Sequence, residues 1–226
     1  MKVAIIPARG GSKRIHKKNI KLFCGEPIIN YSIRTAKESG IFDSIVVSSD
    51  DEEILEISRK CGVDTIVRPC ELSGDEVATL PVISHSVLSL GLKEKDLVCC
   101  IYPTAPLLEV SYILQALDAL LKNPSKNYAF SVVEFDSSPF RGFEITDDVI
   151  KMLFPQYQLF RSQDLKKVYH DAGAFYFGFA QSFLEEKAIF SSDSIPIILP
   201  KMIVQDIDTL DDWHLAEIKY QLKHSK

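Results

Sequence analysis

A cluster of cations follows a short apolar run near the start of the chain. The run at residues 3–6 ends at Pro7, and residues 9–21 then carry six lysines and arginines and no acidic residue. Gly10 and Gly11 allow the backbone to approach a ligand closely and to point amide hydrogens at it, while the cations supply charge-assisted donors for phosphate oxygens. The spacing matches neither a Walker A loop nor a G-x-G-x-x-G fingerprint. The pattern predicts a phosphate-binding loop, with a solvated basic loop as the alternative.

Paired acids stand near the other end of the chain, in the sequence Asp206-Ile207-Asp208. In an extended segment the two carboxylates share one face, where they repel each other unless a cation or water separates them. Alone, the pair is also typical of a solvated strand end. In the same chain as a triphosphate loop it predicts a magnesium site, because magnesium that bridges phosphates needs only one or two protein carboxylates.

Short apolar runs alternate with helix-like segments through the first half of the chain. The predicted strands cover residues 3–6, 45–47, 65–67 and 97–101, and the predicted helices cover residues 27–39, 49–62, 79–90 and 111–122. This alternation predicts a Rossmann-like α/β fold with a doubly wound, mostly parallel sheet. Such sheets bind ligands beyond the carboxyl ends of their strands, and the cationic loop follows the first of them.

The alternation of predicted strands and helices ends after residue 128. Residues 129–178 contain β-like runs, Pro- and Gly-containing breaks and many aromatic side chains, which together predict an inserted β-rich lobe. An aromatic excursion of this kind covers a substrate or pairs with a second subunit. We expect a single domain over residues 1–226 that contains this lobe and ends in an amphipathic helix at residues 211–226.

Composition excludes several classes of protein. The net charge of −5 argues against a general nucleic-acid binder, and the hydrophobic content of 46% is ordinary for a globular protein. Five cysteines without a C-x-x-C spacing indicate buried thiols, not a zinc site or a disulfide framework. No apolar run is long enough for a signal peptide or a membrane span, so we expect a cytoplasmic protein with no membrane partner.

Six motifs occur in an order that resembles one enzyme family. They are residues 6–13 with Lys18 and Asn19, residues 48–50, Arg68 to Leu72 with Asp75 and Thr79, residues 103–106, residues 161–164 and residues 206–208. Together they resemble the acylneuraminate cytidylyltransferases, which make CMP-sialic acids, and the likeness spans almost the whole chain. Residues 161–165 and 169–176 resemble the pseudaminic acid branch of that family.

The resemblance implies roles in binding CTP. Arg9, Ser12 and Lys18 would contact the triphosphate, with Asn19 and Thr79 nearer the nucleoside. Arg68 would frame the cytosine pocket, and the backbone of Ala8, Gly10 and Gly11 would complete the nucleotide site. Catalysis would rest on Arg9, Lys18, Asp206 and Asp208, of which the two aspartates would bind Mg²⁺.

The resemblance also implies a site for an acidic nine-carbon sugar. The side chains expected to line it are Tyr102, Thr104, Arg161, Gln163, His170 and Asp171, and the lobe would mediate a homodimer. Arg14 and His16 replace a glycine and a proline of many relatives, so the rear of the loop is expected to differ. Tyr102 stands where sialic acid enzymes often have glutamine, which favours a sugar other than Neu5Ac.

The implied reaction is the transfer of CMP from CTP to the sugar's anomeric hydroxyl, with release of pyrophosphate. A metal-bound hydroxide or a carboxylate would remove the hydroxyl proton. His170 would orient the sugar or act as a base, with a hydrogen-bonded structural residue as the alternative. Within the class, enzymes for sialic, legionaminic or Kdo sugars are the alternatives. A glycosyltransferase would place its paired acids in mid-chain, and a non-catalytic nucleotide sensor could dispense with them.

Overall fold

The structure is a computed structural model that describes residues 1–225, so the predicted end of the last helix at Lys226 lies outside the described residues. The strands are β1 (Lys2–Pro7), β2 (Leu22–Phe23), β3 (Glu26–Pro27), β4 (Ser44–Ser49), β5 (Asp64–Val67), β6 (Leu97–Ile101), β7 (Tyr128–Glu134), β8 (Phe143–Thr146), β9 (Val149–Met152), β10 (Tyr169–Phe179) and β11 (Ser194–Ile198). The helices are α1 (Ile29–Glu38), α2 (Glu52–Lys60), α3 (Thr79–Ser89), α4 (Val110–Lys122), α5 (Ala180–Leu184) and α6 (Leu210–His224).

Seven strands form one sheet in the order β11-β7-β10-β6-β1-β4-β5. β1 pairs in parallel with β4 and β6, β4 with β5, and β11 with β7, whereas β10 runs antiparallel to both of its neighbours. The predicted doubly wound, mostly parallel α/β sheet is confirmed. β1 is buried on both faces, as a central strand of such a sheet must be.

Helix termini show why several elements begin where they do. The Asp51 carboxylate accepts a hydrogen bond from the Glu53 backbone N–H at 2.8 Å and so caps α2. At α6, Thr209 and Asp212 form a reciprocal capping box. Both caps lie beside the cationic loop or the paired aspartates, so the same residues that start the helices also fix the edges of the candidate site.

The excursion from the sheet is narrower than the predicted lobe of residues 129–178. Its two ends are β7 and β10, which are strands of the main sheet, and only residues 135–168 leave it. There, β8 and β9 form a separate two-stranded hairpin. In the sequence, β7 and β10 resemble parts of the lobe because no α-helix separates them from the excursion. Their pairing in the main sheet is not visible in the sequence, because it depends on contacts between segments that are far apart along the chain.

A small hydrophobic cluster ties the two ends of the chain together. Ile15 from the cationic loop packs in one cluster with Ile207, which is 1% exposed, and with Trp213 of α6. Burying Ile207 turns Asp206 and Asp208 outward on either side of it. Within the described residues, no helix is long and apolar enough to cross a bilayer.

Candidate active site

A cleft of about 200 Å³ opens where the chain leaves β1 and β6. These two neighbouring strands mark the point at which the sheet order reverses, because the chain runs outward from β1 through β4 and β5 and returns to β6. Ligands of doubly wound sheets bind at this switch point. The predicted site residues that line the cleft are Arg9, Ser12, Lys18, Asn19, Arg68, Thr79, Tyr102 and Thr104.

The cationic loop is folded against the ends of β1 and β4. The Ala8 backbone N–H donates to the Ser48 carbonyl at 2.9 Å, and the Gly10 N–H donates to Asp50 Oδ1 at 3.0 Å. The Asn19 amide donates to the Arg9 carbonyl at 2.8 Å and closes the loop from inside. The loop is therefore held by hydrogen bonds to Ser48 and Asp50 and by one bond within itself.

The two glycines of the loop have different local reasons to be glycine. A Cβ on Gly10 would lie 2.6 Å from Asp51 Oδ2 and 2.7 Å from Asp51 Cβ, whereas a Cβ on Gly11 would meet nothing within 4 Å. Gly10 is thus required by close packing against the start of α2. At Gly11 the space beside the backbone is open.

One acid neutralises the front of the loop. Asp75 pairs with Arg9 Nη1 at 2.6 Å and with Lys13 Nζ at 2.5 Å. These hydrogen bonds, that of Lys13 first, hold the pKa of the Asp75 carboxyl below its ordinary value. Two cations that converge on one carboxylate are also spaced to converge on a phosphate.

A second acid neutralises the rear of the loop. Asp208 Oδ1 lies 2.7 Å from Arg14 Nη2 and 3.6 Å from Lys18 Nζ. Lys18 also donates to the Ile207 carbonyl at 2.5 Å. Since Arg14 and Lys18 both line the cleft, the paired aspartates stand at its rim.

The paired aspartates form a donor set that fits one divalent cation with phosphates. Although the Asp206 side chain is exposed, surrounding protein atoms partly desolvate it, and this together with the negative charge of Asp208 raises the pKa of Asp206. A bound cation would remove that repulsion. Within residues 1–225 no cluster of three or more acidic, thiol or imidazole groups is poised for a metal, so remaining ligands would be phosphate and water oxygens.

A buried arginine forms part of the cleft wall away from the paired aspartates. Arg68 is 5% exposed and donates through Nη2 to the Ser48 carbonyl at 2.6 Å. Burial lowers the pKa of its guanidinium, partly against the opposing effect of Asp50. Nearby, Thr79 Oγ1 and the Tyr102 hydroxyl share a hydrogen bond of 2.7 Å, so the start of α3 is joined to the end of β6.

Tyr102 is backed by a second tyrosine. Its ring meets the Tyr176 ring edge to face with centroids 5.6 Å apart, and burial raises the pKa of Tyr102 to about 12. The Tyr176 hydroxyl in turn donates to the Asp171 carboxylate. Asp171, expected to reach toward a sugar, therefore acts in this structure as an anchor for Tyr176.

Besides Asp171, three predicted sugar-site residues do not line the cleft of their own chain. Arg161 pairs with Asp164 at 2.7 Å within the excursion, and Gln163 lines a separate cavity at its base. The His170 ring packs on Phe135 with centroids 4.6 Å apart. Arg161 and Gln163 lie away from the cleft because they belong to the excursion, whereas His170 lies at the start of β10, where that strand pairs with β7.

Two acids near the cleft received no site role from the sequence. Asp50 belongs to the motif at residues 48–50 and accepts a hydrogen bond from the Gly10 N–H, whereas Asp51 caps α2. Asp75 belongs to the motif that begins at Arg68. The available signal was its position between the end of a strand and the start of α3, at the same sheet edge as the loop.

Comparison with known proteins agrees with this geometry. A family model for cytidylyltransferases matches residues 3–224. The pseudaminic acid cytidylyltransferase of Campylobacter jejuni serotype O:2 is 44% identical over 226 residues, covering 98% of this chain and 97% of that protein. The N-acylneuraminate cytidylyltransferase of Escherichia coli O18:K1:H7 is 29% identical over 224 residues, covering 98% of this chain and 52% of that protein.

Among solved structures, a CMP:2-keto-3-deoxy-manno-octonic acid synthetase complexed with CTP superimposes with a TM-score of 0.72 at 13% identity, covering 100% of this chain and 99% of the other. A likeness at that identity establishes the fold. The family match and the Campylobacter relative establish more: the chain belongs to the cytidylyltransferase family, whose members are CTP-dependent nucleotidyltransferases.

Proposed function

We propose that this enzyme transfers CMP from CTP to the anomeric hydroxyl of a nine-carbon 2-keto sugar acid, pseudaminic acid, and releases pyrophosphate. The observation that carries the proposal is the meeting, at one sheet edge, of a cationic loop, a pocket wall that contains Arg68 and the hydroxyls of Thr79 and Tyr102, and a pair of carboxylates. The similarity to the Campylobacter protein, which is named for pseudaminic acid, supports the choice of sugar.

The triphosphate would bind along the loop. Arg9 and Lys13 at its front and Arg14 and Lys18 at its rear are already aimed at the carboxylates of Asp75 and Asp208. Phosphate oxygens would replace carboxylate oxygens as acceptors for these cations, so little reorganisation is needed on binding.

The nucleoside would extend from the loop toward the wall formed by Arg68 and Thr79. Asn19 lies between the two regions and is 5% exposed, which fixes its amide in one orientation. Thr79 and Arg68 both line the cleft, where their polar groups would donate or accept hydrogen bonds with a pyrimidine base. This placement leaves the α-phosphate near Lys18 and the paired aspartates.

Asp206 and Asp208 would hold Mg²⁺. When bound, the ion supplies charge neutralisation for the phosphates during displacement. The chain's own contribution is to orient the carboxylates and, through Lys18, to tie their segment to the loop at the Ile207 carbonyl.

The sugar would enter beside Tyr102 and Thr104. A narrow groove continues from Thr104 between the loop after β6, residues 172–174 of β10 and residues 203–205. The Tyr102 hydroxyl is committed to Thr79, so this position presents an aromatic ring where sialic acid enzymes often present an amide. That difference is our structural reason for proposing a sugar other than Neu5Ac.

In the reaction, the anomeric oxygen forms a bond to the α-phosphorus while the bond from that phosphorus to the pyrophosphate oxygen breaks on the opposite side. Such transfers ask the protein mainly for alignment and charge neutralisation. The sugar hydroxyl loses its proton in this step to a carboxylate of the site or to solvent. Among the described residues no histidine lines the cleft. We therefore do not propose His170 or another imidazole as the acceptor of this proton.

We also propose a homodimer formed through the excursion. Its exposed apolar side chains include Ile145, Val149 and Ile150, each 64–65% exposed, and Leu159, which is 93% exposed. Large apolar patches of this kind mark interaction surfaces. Docking of two copies there would offer Arg161 and Gln163 to the partner's cleft.

We place the enzyme in the cytoplasm, where CTP is supplied.

The test is pyrophosphate release with CTP and Mg²⁺ in the presence of pseudaminic acid, Neu5Ac, legionaminic acid or Kdo. We expect turnover with pseudaminic acid to exceed that with each of the others. Preference for another acid would keep the reaction and overturn the sugar assignment. Silence with all four, despite CTP binding, would favour a nucleotide sensor or a glycosyltransferase.

A further inference from the structure

The segment that carries the paired aspartates lacks backbone support of the usual kind. In the part of the chain that the structure describes, residues 205–208 belong to no helix or strand and make no backbone-to-backbone hydrogen bond. A segment of this kind is ordinarily free to move. The polar groups of this one are instead held by side chains.

Lys219 of α6 holds the start of the segment. Its ammonium donates to the Val204 carbonyl at 2.7 Å, to Gln205 Oε1 at 3.0 Å and to the Lys201 carbonyl at 3.3 Å. All three acceptors are uncharged oxygens, and burial lowers the pKa of Lys219. A lysine that is partly desolvated and is bonded only to neutral groups contributes position more than charge.

Gln205 and Asp212 hold the remainder. Gln205 Nε2 donates to the Asp206 carbonyl at 3.1 Å and approaches Asp212 Oδ1 at 3.5 Å. Asp212 Oδ2 accepts from the backbone N–H of Asp208 at 3.1 Å and of Thr209 at 2.8 Å. Lys219, Gln205 and Asp212, which we call the α6 clamp, therefore fix the backbone on both sides of each aspartate.

We propose that Lys219 and Gln205 are positioning residues that preorganise Asp206 and Asp208 for the cation bound with the nucleotide. This inference rests on the proposed function for the identity of the cation, and on the described hydrogen bonds for the positioning. Residues that orient metal ligands affect affinity by about 10- to 100-fold when they are removed. The clamp reaches the aspartates through the backbone, so neither residue needs to touch the metal or the substrate.

The test compares Lys219→Met, which keeps the length and apolar stem of the side chain, with Lys223→Met as a matched control. Lys223 lies one turn further along α6 and pairs with Glu109 at 2.7 Å, outside the clamp. The first readout is amide hydrogen exchange of residues 200–209 in metal- and nucleotide-free protein. We expect about tenfold faster exchange in Lys219→Met and wild-type exchange in the control.

The second readout is Mn²⁺ affinity in the presence of CTP, measured by electron paramagnetic resonance, beside CTP affinity in EDTA. We expect Mn²⁺ to bind about 10-fold or more weakly to Lys219→Met while CTP binding without metal is unchanged. Wild-type Mn²⁺ affinity in this variant would overturn the proposal, whatever its exchange rate.

If Lys219→Met does not fold, Gln205→Met decides the matter, because it removes the donor to the Asp206 carbonyl and to Asp212 and the acceptor for Lys219. The same weakening of Mn²⁺ binding supports the clamp, and wild-type affinity refutes it. Failure of the wild-type protein to bind Mn²⁺ with CTP would overturn the proposed function instead. The exchange measurement would then still decide whether the clamp holds the segment.

Discussion

Replacing Asp208 by asparagine should separate activity from stability. The substitution keeps the shape of the side chain and removes one of two carboxylates at the cleft rim. If Asp208 helps to hold the cation that neutralises the phosphates, we expect kcat to fall on the order of 10²- to 10³-fold, as when one preorganised electrostatic group is deleted. The assay is pyrophosphate release at saturating CTP, sugar and Mg²⁺.

The stability change in the same variant is small because two effects oppose each other. The variant loses the ion pairs of Asp208 with Arg14 at 2.7 Å and with Lys18 at 3.6 Å. Arg14 is 69% exposed, so its pair contributes about 0.2–1 kcal/mol, and the Lys18 pair, although less exposed, is weakened by its longer distance. The substitution also relieves the repulsion that Asp208 exerts on Asp206. We expect a net change within about 1 kcal/mol, which is a shift of about 2–4 °C in Tm for a domain of this size.

The pH dependence of stability tests the repulsion between the carboxylates of Asp206 and Asp208. The pKa of Asp206 is raised in the folded protein, first by desolvation and then by Asp208. The stability that protonated Asp206 contributes is therefore fully present below the ordinary pKa of aspartate. This contribution is lost as the pH rises through the higher pKa of Asp206 in the folded protein. In metal-free Asp208→Asn this fall, measured above about pH 4 by urea unfolding, should be smaller than in the wild type.

A matched control is Asp118→Asn, which removes an exposed aspartate paired with Lys122 at 2.7 Å on α4. It should keep wild-type activity. Retention of more than a third of wild-type turnover by Asp208→Asn, with unchanged Mg²⁺ dependence, would remove Asp208 from the mechanism. Loss of the folded state would refute the stability argument.

Three further predictions follow from single contacts. Gly10→Ala should weaken CTP binding and cost about 1–3 kcal/mol of stability because its Cβ would overlap Asp51, whereas Gly11→Ala should keep wild-type stability; equal unfolding temperatures of the two variants in scanning calorimetry would refute this distinction. Asp75→Asn frees Arg9 and Lys13 and should tighten pyrophosphate binding several-fold at low salt, so weaker binding would mean that Asp75 aligns the cations instead of competing for them. The pKa of Tyr102 is raised to about 12, so the stability that its protonated hydroxyl contributes is present below about pH 10 and is lost between about pH 10 and 12. Tyr102→Phe should therefore lose less stability than the wild type over that range. Identical alkaline unfolding profiles of the two proteins would contradict the argument.

Local patterns were sufficient to predict most of the parallel half of the fold. The buried run at residues 97–101 is a strand with the predicted bounds, and the predicted helix at residues 79–90 is α3 at Thr79–Ser89. These elements are determined by the period of their hydrophobic residues and by the capping and turn residues at their ends, which are local properties of the sequence. The predicted lobe was too wide because membership of a sheet depends on which distant strand is paired.

The candidate site divides in the same way. Strand ends at one edge of a parallel sheet must lie together, so the convergence of Arg9, Arg68 and Tyr102 followed from the strand order. The contacts of Asp75 and Lys219 did not follow, because they depend on side-chain reach between segments that are far apart in sequence. Arg161 and Gln163 lie away from the cleft of their own chain, and no local signal in the sequence indicates that.

The measurement that tests the central claim most directly is ³¹P nuclear magnetic resonance of the purified enzyme with CTP, Mg²⁺ and pseudaminic acid. We predict the loss of the three CTP signals and the appearance of one phosphodiester signal and one equivalent of pyrophosphate, with no change when the sugar is omitted. CTP hydrolysis without sugar, or unchanged CTP in the complete mixture, would contradict the proposed transfer.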